Sequence, residues 1–199
     1  YEDVTNIDSV GLITARTGIE IGARPGVAAS ISVDGNMIVS GITTFGGAIS
    51  GTTGTFSADA TVNNVTVGRG ANSVAGNTVL GQGALDAAVT GDYNTAIGKN
   101  ALTSNTSGAS NTGVGRQALY TNTTGSNNTA LGYNALDDCS TASNNTAIGS
   151  NALTANTTGT NNVAVGHNSL DANTTGGSNT AVGRNSLGAN TTGTANSAL

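Results

Sequence analysis

The sequence is poor in the residues that most functional sites and globular cores use. It has one Cys, one Pro, one His, no Trp and 9% charged residues in 199. A single Cys excludes an intrachain disulfide framework and a cysteine-rich metal site. Six scattered Lys and Arg residues cannot neutralise a phosphate backbone, so a basic nucleic-acid-binding protein is excluded. No apolar run approaches the roughly 18 residues of a membrane-spanning helix, and we expect no membrane insertion.

Large apolar residues are also scarce, whereas turn-forming residues are abundant. Leu, Ile, Val and Phe make up 38 of 199 residues, a fraction typical of disordered chains. Gly, Asn and Thr make up 88 residues, and Glu occurs twice, which excludes a helical bundle. The chain starts at Tyr1 rather than Met, and we expect it to be a fragment or a mature product of a longer chain.

A 17-residue repeat organises the chain from residue 77 onward. Asn-Thr-Ala-aliphatic-Gly, or a close variant, starts at residues 77, 94, 111, 128, 145, 162, 179 and 196 without a slip. The full unit is well shown by NTAIGSNALTANTTGTN at 145–161, and its first Asn is position one. Disorder does not require aliphatic residues at fixed positions, so we expect the array to fold. A shorter unit at 64–76 resembles the first half of the repeat, and we interpret it as a lead-in coil.

The length of the repeat limits the fold class. A unit this short, with turn residues twice per copy, cannot hold two helices. We predict an all-β, fibrous, trimeric β-solenoid, built either as a β-roll with one coil per repeat or as an intertwined β-helix. Positions two and four of a strand then point one way, and position three points the other way. Asn side chains stacked at position one are expected to form amide ladders along the axis.

Two aliphatic positions recur in each copy, and we predict that they form the core of the repeats. Position four is always aliphatic, and position nine is Leu in every complete copy. The predicted core residues are Leu80, Leu85, Ile97, Leu102, Val114, Leu119, Leu131, Leu136, Ile148, Leu153, Val165, Leu170, Val182 and Leu187. Position five is always Gly, which accepts a positive φ at the first corner. The predicted turn glycines are Gly81, Gly98, Gly115, Gly132, Gly149, Gly166 and Gly183.

The rest of the repeat suggests a second corner and an oligomer. Asn-Thr-Thr-Gly at positions 12 to 15 is typical of a turn. Position eight is Ala or Ser in every complete copy. Two large aliphatic residues per coil make a thin core, and a column of small residues permits the close approach of a neighbouring chain. We therefore predict a homotrimer packed about one axis.

The residues before the array are expected to be β-rich but irregular. We predict an N-terminal β segment at 1–24, an irregular shaft or neck at 25–63, and the solenoid at 64–199. The pattern around Asp34-Gly35-Asn36, flanked by Ile31/Val33 and Met37/Val39, predicts a β-hairpin.

Two stretches carry a resemblance to known fibres. The opening YEDVTNIDSVGLITARTGIEIG and the later GITTFGGAISGTTGTFS resemble tail-fibre and related virion structural proteins of marine bacteriophages, particularly those infecting cyanobacteria. The repeat NTAIGSNALTANTTG is similar to arrays in phage fibres and bacterial surface fibres, and NNTAIG is similar to the head repeat of trimeric autotransporters. The resemblance implies a trimeric virion fibre that contacts other virion proteins of the baseplate or tail.

Few side chains suggest chemistry, and none form a convergent set. His167 lies at position six, whose variable occupants indicate an exposed corner. Cys139 replaces Asn at position 12 and is interpreted as a tolerated substitution in a turn. Asp137, Asp138 and Asp171 are too sporadic for a calcium-binding solenoid, which needs acidic residues in every turn. We predict no enzymatic activity, no cofactor and no metal.

Several Asn residues match the acceptor pattern for N-glycosylation. Their register with the repeat favours a role in turns instead. These are the Asn-Thr-Thr or Asn-Thr-Ser sequences at Asn105, Asn122, Asn156, Asn173 and Asn190.

We therefore expect a non-enzymatic structural segment of a phage virion fibre, located in the extracellular virion. It would rigidly present a distal tip, outside this chain, that binds a host-cell receptor. The alternative is a bacterial surface adhesin or an extracellular filament subunit built from the same repeat and located at the cell surface. An ice-binding solenoid is disfavoured, because Thr157 and Thr158 are adjacent and point opposite ways in a strand.

Overall fold

The computed structural model describes residues 59–199, apart from the side chain of Val62. The predicted segment 1–24, the hairpin around Asp34 and the rest of the shaft up to residue 58 lie outside the described residues. The described part is an all-β solenoid of about seven coils with one strand per 17-residue repeat. The predicted all-β solenoid is confirmed, and each repeat closes one coil within the chain, as in a β-roll. The trimer stays a prediction.

Ten short strands lie in chain order in one sheet. They are β1 (Ala60–Val62), β2 (Val65–Gly68), β3 (Thr78–Gly81), β4 (Thr95–Ile97), β5 (Thr112–Val114), β6 (Thr129–Leu131), β7 (Thr146–Ile148), β8 (Val163–Val165), β9 (Thr180–Val182) and β10 (Ser197–Ala198). From β3 onward all neighbours are parallel and shifted by one repeat, so that Thr95 pairs with Thr112 and Ala96 pairs with Gly113. This register places each repeat position next to its equivalent in the neighbouring coil, so that it forms a continuous column.

Backbone hydrogen bonds join successive coils outside the strands as well. At position nine, the Leu102 N–H donates to the Ala118 carbonyl of the next coil (3.0 Å). At position 13, the Thr157 N–H donates to the Thr174 carbonyl (2.9 Å). At position 17, the Asn127 N–H donates to the carbonyl of Ala109 in the previous coil (3.1 Å). Hydrogen bonds on several sides of each coil therefore hold the stack together.

A β-hairpin precedes the first coil. Asn63 and Asn64 both have positive φ (49° and 64°), which forms a two-residue hairpin turn between β1 and β2. Strand β2 then pairs antiparallel with β3. The prediction that residues 64–76 form a lead-in coil is wrong, because β2 in this segment is antiparallel to the strands on both sides of it. Only 13 residues separate Asn64 from Asn77, too few for a 17-residue coil, so the chain reverses direction instead.

The interior of the coil is lined by small residues and Leu. Position nine is fully buried from Leu85 to Leu170, and Leu187 is partly buried. Position eight is buried from Ala84 to Ser169, so the column of small residues faces the interior of its own coil rather than a neighbouring chain. Position three is buried in every strand from β3 to β9. The interior is narrow, and small residues at positions three and eight leave room for one Leu per coil.

The prediction that position four joins this core is wrong within the chain. Positions two and four point outward because position three points inward. Leu80, Ile97, Leu131 and Val182 are 45%, 36%, 47% and 37% exposed. Val114, Ile148 and Val165 are partly exposed.

Candidate functional site

The outer face of the sheet carries a continuous apolar column. Val67 of β2 pairs with Leu80 of β3 and extends the position-four column by one strand. The members of this outer column are Val67, Leu80, Ile97, Val114, Leu131, Ile148, Val165 and Val182. At about 4.8 Å per strand, the outer column is about 34 Å long. Position two, which is Thr in all these coils except Val163, shares the same face.

Buried asparagines at position one form a ladder through the solenoid. These residues are at most 5% exposed from Asn77 to Asn179. In a central coil, the Asn111 backbone N–H donates to Oδ1 of Asn94 in the previous coil (3.0 Å). The Asn111 amide Nδ2 donates to the carbonyl of Gly125, where its own coil closes (2.8 Å). The predicted ladder is present, but most of its rungs join a side chain to a backbone group.

A second ladder runs along position 12, which the sequence assigned only to a turn. The Asn122 amide Nδ2 donates to Asn105 Oδ1 in the previous coil (2.7 Å) and to the Gly125 carbonyl (3.1 Å). The Gly125 carbonyl therefore accepts from both ladders. A Cβ at Gly125 would lie 2.5 Å from Asn122 Oδ1, so the ladder also favours Gly at position 15. One feature of the sequence could have predicted the second ladder. Asn recurs at position 12 in five of seven complete copies, each time with Gly three residues later.

The amides of the Asn-Thr-Thr and Asn-Thr-Ser sequences at position 12 belong to this second ladder. Asn105, Asn122, Asn156 and Asn173 are fully buried, and their Nδ2 atoms donate to position-15 carbonyls. A buried amide is inaccessible to a glycosyl donor. The structure thus assigns these residues to closing the coil.

Position nine combines burial with an unusual backbone. Every Leu in this column has φ between 48° and 55°. A bulky residue in the left-handed region costs about 1–3 kcal/mol, which is close to the roughly 1.5–3 kcal/mol gained by burying Leu. Burial of Leu therefore offsets the backbone strain but contributes little net free energy of folding. We infer that the hydrogen-bonded ladders contribute to holding the coil closed.

The corner glycines at position five have the backbone that the sequence suggested, with one difference. Gly98, Gly115, Gly132, Gly149, Gly166 and Gly183 have φ between 120° and 143°. A Cβ at Gly98 would lie 2.6 Å from the Gly115 carbonyl oxygen, so the close approach of coils also requires Gly here. Gly81 ends β3 without a positive φ.

Cys139 lies at position 12, where it interrupts the second ladder. It is fully buried, and burial raises the pKa of its thiol to about 12. Burial and the neighbouring Asp138 also raise the pKa of Asp137. In the described part of the chain, no group of three or more His, Cys, Asp or Glu is placed to hold a metal ion. The same residues include no helix long and apolar enough to cross a membrane.

Position six forms an exposed row beside the corner glycines. Its occupants are Gln82, Lys99, Arg116, Tyr133, Ser150, His167 and Arg184, and all except Ser150 are exposed. The Arg116 guanidinium carbon lies 5.3 Å from the centre of the Tyr133 ring, a cation–π distance. His167 is thus an exposed corner residue, as its position predicted.

Comparisons with protein-family models, curated proteins and solved structures give no match to this chain.

Proposed function

We propose that this chain is a non-enzymatic structural segment of a phage virion fibre, such as a tail fibre or another appendage. Three copies pack into a rigid spacer that presents a receptor-binding tip outside this chain. The spacer attaches to other virion proteins of the baseplate or tail. The observation that carries this proposal is the outer column, an apolar stripe about 34 Å long on the outer face of the sheet.

The outer column supports an oligomer because of its continuity. Single exposed apolar residues are ordinary on a soluble protein, whereas contiguous apolar patches mark contact surfaces. Here each parallel strand adds one Leu, Ile or Val directly beside the last. A second and third copy of the same chain would present the same straight stripe, so that three stripes meet along one axis.

The hydrogen-bond pattern supports a mechanical role. Successive coils are joined by backbone bonds in the strand, at positions 9, 13 and 17, and by buried Asn side chains. Bending or opening the rod breaks several of these bonds together. Slow unfolding of this kind protects a protein outside a cell, where survival depends on the unfolding rate.

The oligomeric state of the full chain tests the proposal. Sedimentation equilibrium of residues 1–199 is expected to give the mass of a trimer. The double variant Ile97→Glu/Leu131→Glu places charges in the outer column, and we expect it to sediment as a monomer, because a trimer would bury these charges without partners. The control Thr124→Glu/Thr158→Glu adds the same charge at exposed position 14 and should remain trimeric.

Two results would contradict the proposal. One is a wild-type chain that sediments as a monomer at micromolar concentration. The other is an outer-column variant that keeps its trimer while its circular dichroism is unchanged.

A further inference from the structure

The charges of the repeat array are sorted by position. Residues 77–199 contain three Lys or Arg and one His, and all four lie at position six: Lys99, Arg116, His167 and Arg184. The acidic residues of the array lie elsewhere, at positions 10, 11 and 16: Asp86, Asp92, Asp137, Asp138 and Asp171. A chain of net charge −5 thus carries one cationic row on its solenoid.

The in-register stacking makes this row continuous and spaces it by one strand separation per coil. Lys99, Arg116 and Tyr133 lie on three consecutive coils, and His167 and Arg184 lie on two further consecutive coils. At about 4.8 Å per coil, Lys99 and Arg184 are about 24 Å apart along the axis. The row therefore offers cations to a long ligand that lies parallel to the solenoid.

The neighbours of the row leave it accessible and add hydrogen-bonding groups. Position five on one side is Gly throughout, so no side chain covers the row from there. Position seven on the other side is Asn in five of the seven complete copies and Gln117 in one more. These six residues are at least partly exposed, although Oδ1 of Asn134 is buried and Asn151 Nδ2 donates to Asn168 Oδ1 (3.3 Å). Their left-handed backbone, for example φ of 59° at Asn100, repeats from coil to coil and holds them in a column of their own.

We propose that the position-six row binds a linear anionic polysaccharide that runs along the rod. The carboxylate or sulfate groups of the glycan pair with Lys99, Arg116 and Arg184, since Arg binds such groups in a bidentate manner. The exposed ring of Tyr133 packs against a sugar ring. The position-seven amides hydrogen-bond to sugar hydroxyls. The coil spacing is comparable to the length of one hexose unit in an extended glycan, so successive sugars meet successive coils.

Other polyanions fit this row less well. Duplex DNA carries one charge per roughly 1.7 Å, and a row with three Lys or Arg over about 24 Å neutralises few of them. The five aspartates scattered over the same repeats repel a densely charged polymer. A glycan with one charge per sugar or fewer matches the sparse row and also uses the Tyr and amide groups. This inference rests on the described solenoid and does not depend on the fibre proposal.

Binding of alginate, a linear polymer of uronic acids, tests the inference on the full chain. At about 0.02 M salt, where charges are screened over roughly 20 Å, we expect alginate to bind, and neutral dextran not to bind. The variant Lys99→Gln/Arg116→Gln/Arg184→Gln should bind alginate at least about tenfold more weakly, a loss near 1.4 kcal/mol. Position six already holds Gln82, so this variant is expected to fold, which a thermal melt checks.

A matched control removes the same charge elsewhere. Arg16→Gln/Arg24→Gln/Arg69→Gln lowers the net charge equally but lies outside the repeats, and its alginate affinity should stay within about twofold of wild type. Tyr133→Ala should weaken binding without changing its salt dependence. The inference is overturned if wild type does not bind alginate, if both triple variants lose affinity equally, or if duplex DNA binds as tightly as alginate. Sedimentation measures the oligomeric state separately from alginate binding. A chain that does not form a trimer would therefore contradict the proposed function without deciding whether the position-six row binds alginate.

Discussion

The adjacent coils 128–144 and 145–161 share their strand register and their positive-φ positions, but they differ at the second corner, both in the second ladder and in its backbone hydrogen bonds. Coil 145–161 carries Asn156 at position 12. Its amide donates to the Gly159 carbonyl (2.9 Å), and its Oδ1 accepts from Asn173 in the next coil (2.9 Å). This coil therefore has a complete pair of buried polar contacts at its second corner.

Coil 128–144 carries Cys139 at the same place and Ala142 instead of Gly at position 15. The Cys139 Sγ lies 3.5 Å from the Ala142 carbonyl oxygen and 3.9 Å from Asn122 Oδ1, and a thiol is a weak donor. The coil still closes, because Asn128 at position one donates to the Ala142 carbonyl (2.8 Å). The first ladder therefore closes a coil that lacks Asn at position 12, and we infer that the second ladder adds stability to the coils that have it.

Removing a rung of the first ladder should therefore have the largest effect. In Asn145→Ala, the Asn162 backbone N–H loses its acceptor, and the Gly159 carbonyl loses one of its two donors. Two buried groups lose hydrogen bonds at about 1–3 kcal/mol each, and we expect a loss of about 3 kcal/mol in the free energy of unfolding. Chemical denaturation followed by circular dichroism measures it.

Asn161→Ala is the control for this substitution. Asn161 is exposed at position 17, where Ala195 already occurs, and its replacement should cost about 1 kcal/mol or less. Equal losses for Asn145→Ala and Asn161→Ala would show that the first ladder does not close the coil.

The second ladder should show the difference between the two coils directly. Asn156→Ala removes the acceptor of Asn173 Nδ2 and one donor to the Gly159 carbonyl, and we expect a loss of about 2 kcal/mol. Cys139→Ala removes only the two long sulfur contacts and a small volume, so it should cost about 1 kcal/mol or less. The same denaturation experiment measures the free energy of unfolding of both variants. Equal losses for Cys139→Ala and Asn156→Ala would show that the second ladder does not stabilise coil 145–161 more than coil 128–144.

Coil 128–144 should become more stable when its ladder is rebuilt. In Cys139→Asn/Ala142→Gly, the new amide would donate to Asn122 Oδ1 and accept from Asn156. The free energy of these two hydrogen bonds should exceed the entropic cost of ordering Gly at position 142. We expect a gain of about 1 kcal/mol.

The single variants provide the test of this repair. Cys139→Asn alone should destabilise the coil, because the Ala142 Cβ would crowd the new Oδ1 just as a Cβ at Gly125 would crowd Asn122. A double-mutant cycle measures the coupling between the two positions. Additive effects of the two substitutions would contradict the pairing of Asn at position 12 with Gly at position 15.

The sequence alone was sufficient for the fold class, the repeat register and the first ladder. A 17-residue repeat without insertions predicts that equivalent residues stack on one another. Asn at position one of every copy predicts a ladder of side-chain contacts. These inferences succeed because stacking requires identical residues to meet, whatever the detailed shape of the coil.

The inside and outside of the strand could not be predicted in the same way. Hydrophobicity favours Leu131 over Ala130 as the buried residue, yet Ala130 is fully buried and Leu131 is 47% exposed. The width of the coil decides whether position three or position four faces the interior, because a narrow interior has room only for the smaller residue. This width follows from the closure of the coil at positions 1, 12 and 15 and not from any local sequence pattern. The same closure buries Asn122, for which local turn propensity predicts a turn but not burial.

The smallest predicted difference between the two coils concerns position ten, which is Asp137 in one coil and Thr154 in the next. Within residues 59–199, Asp137 Oδ1 is buried without a hydrogen-bond partner, and burial together with Asp138 raises the pKa of Asp137 above 3.8. The folded chain therefore retains this proton to a higher pH than the unfolded chain does. The resulting stabilisation is complete below about pH 3.8 and is lost as the pH rises through the folded pKa.

Denaturation of wild type, Asp137→Asn and Asp137→Thr between about pH 3 and pH 7 measures this contribution. Both neutral variants should gain stability relative to wild type as the pH rises, and their two curves should run parallel, because neither carries the titrating group. The expected change is small, since Asp137 is only partly buried and water screens its charge. A difference from wild type that stays constant across this pH range would show that the partly buried carboxylate of Asp137 does not distinguish coil 128–144 from its neighbour.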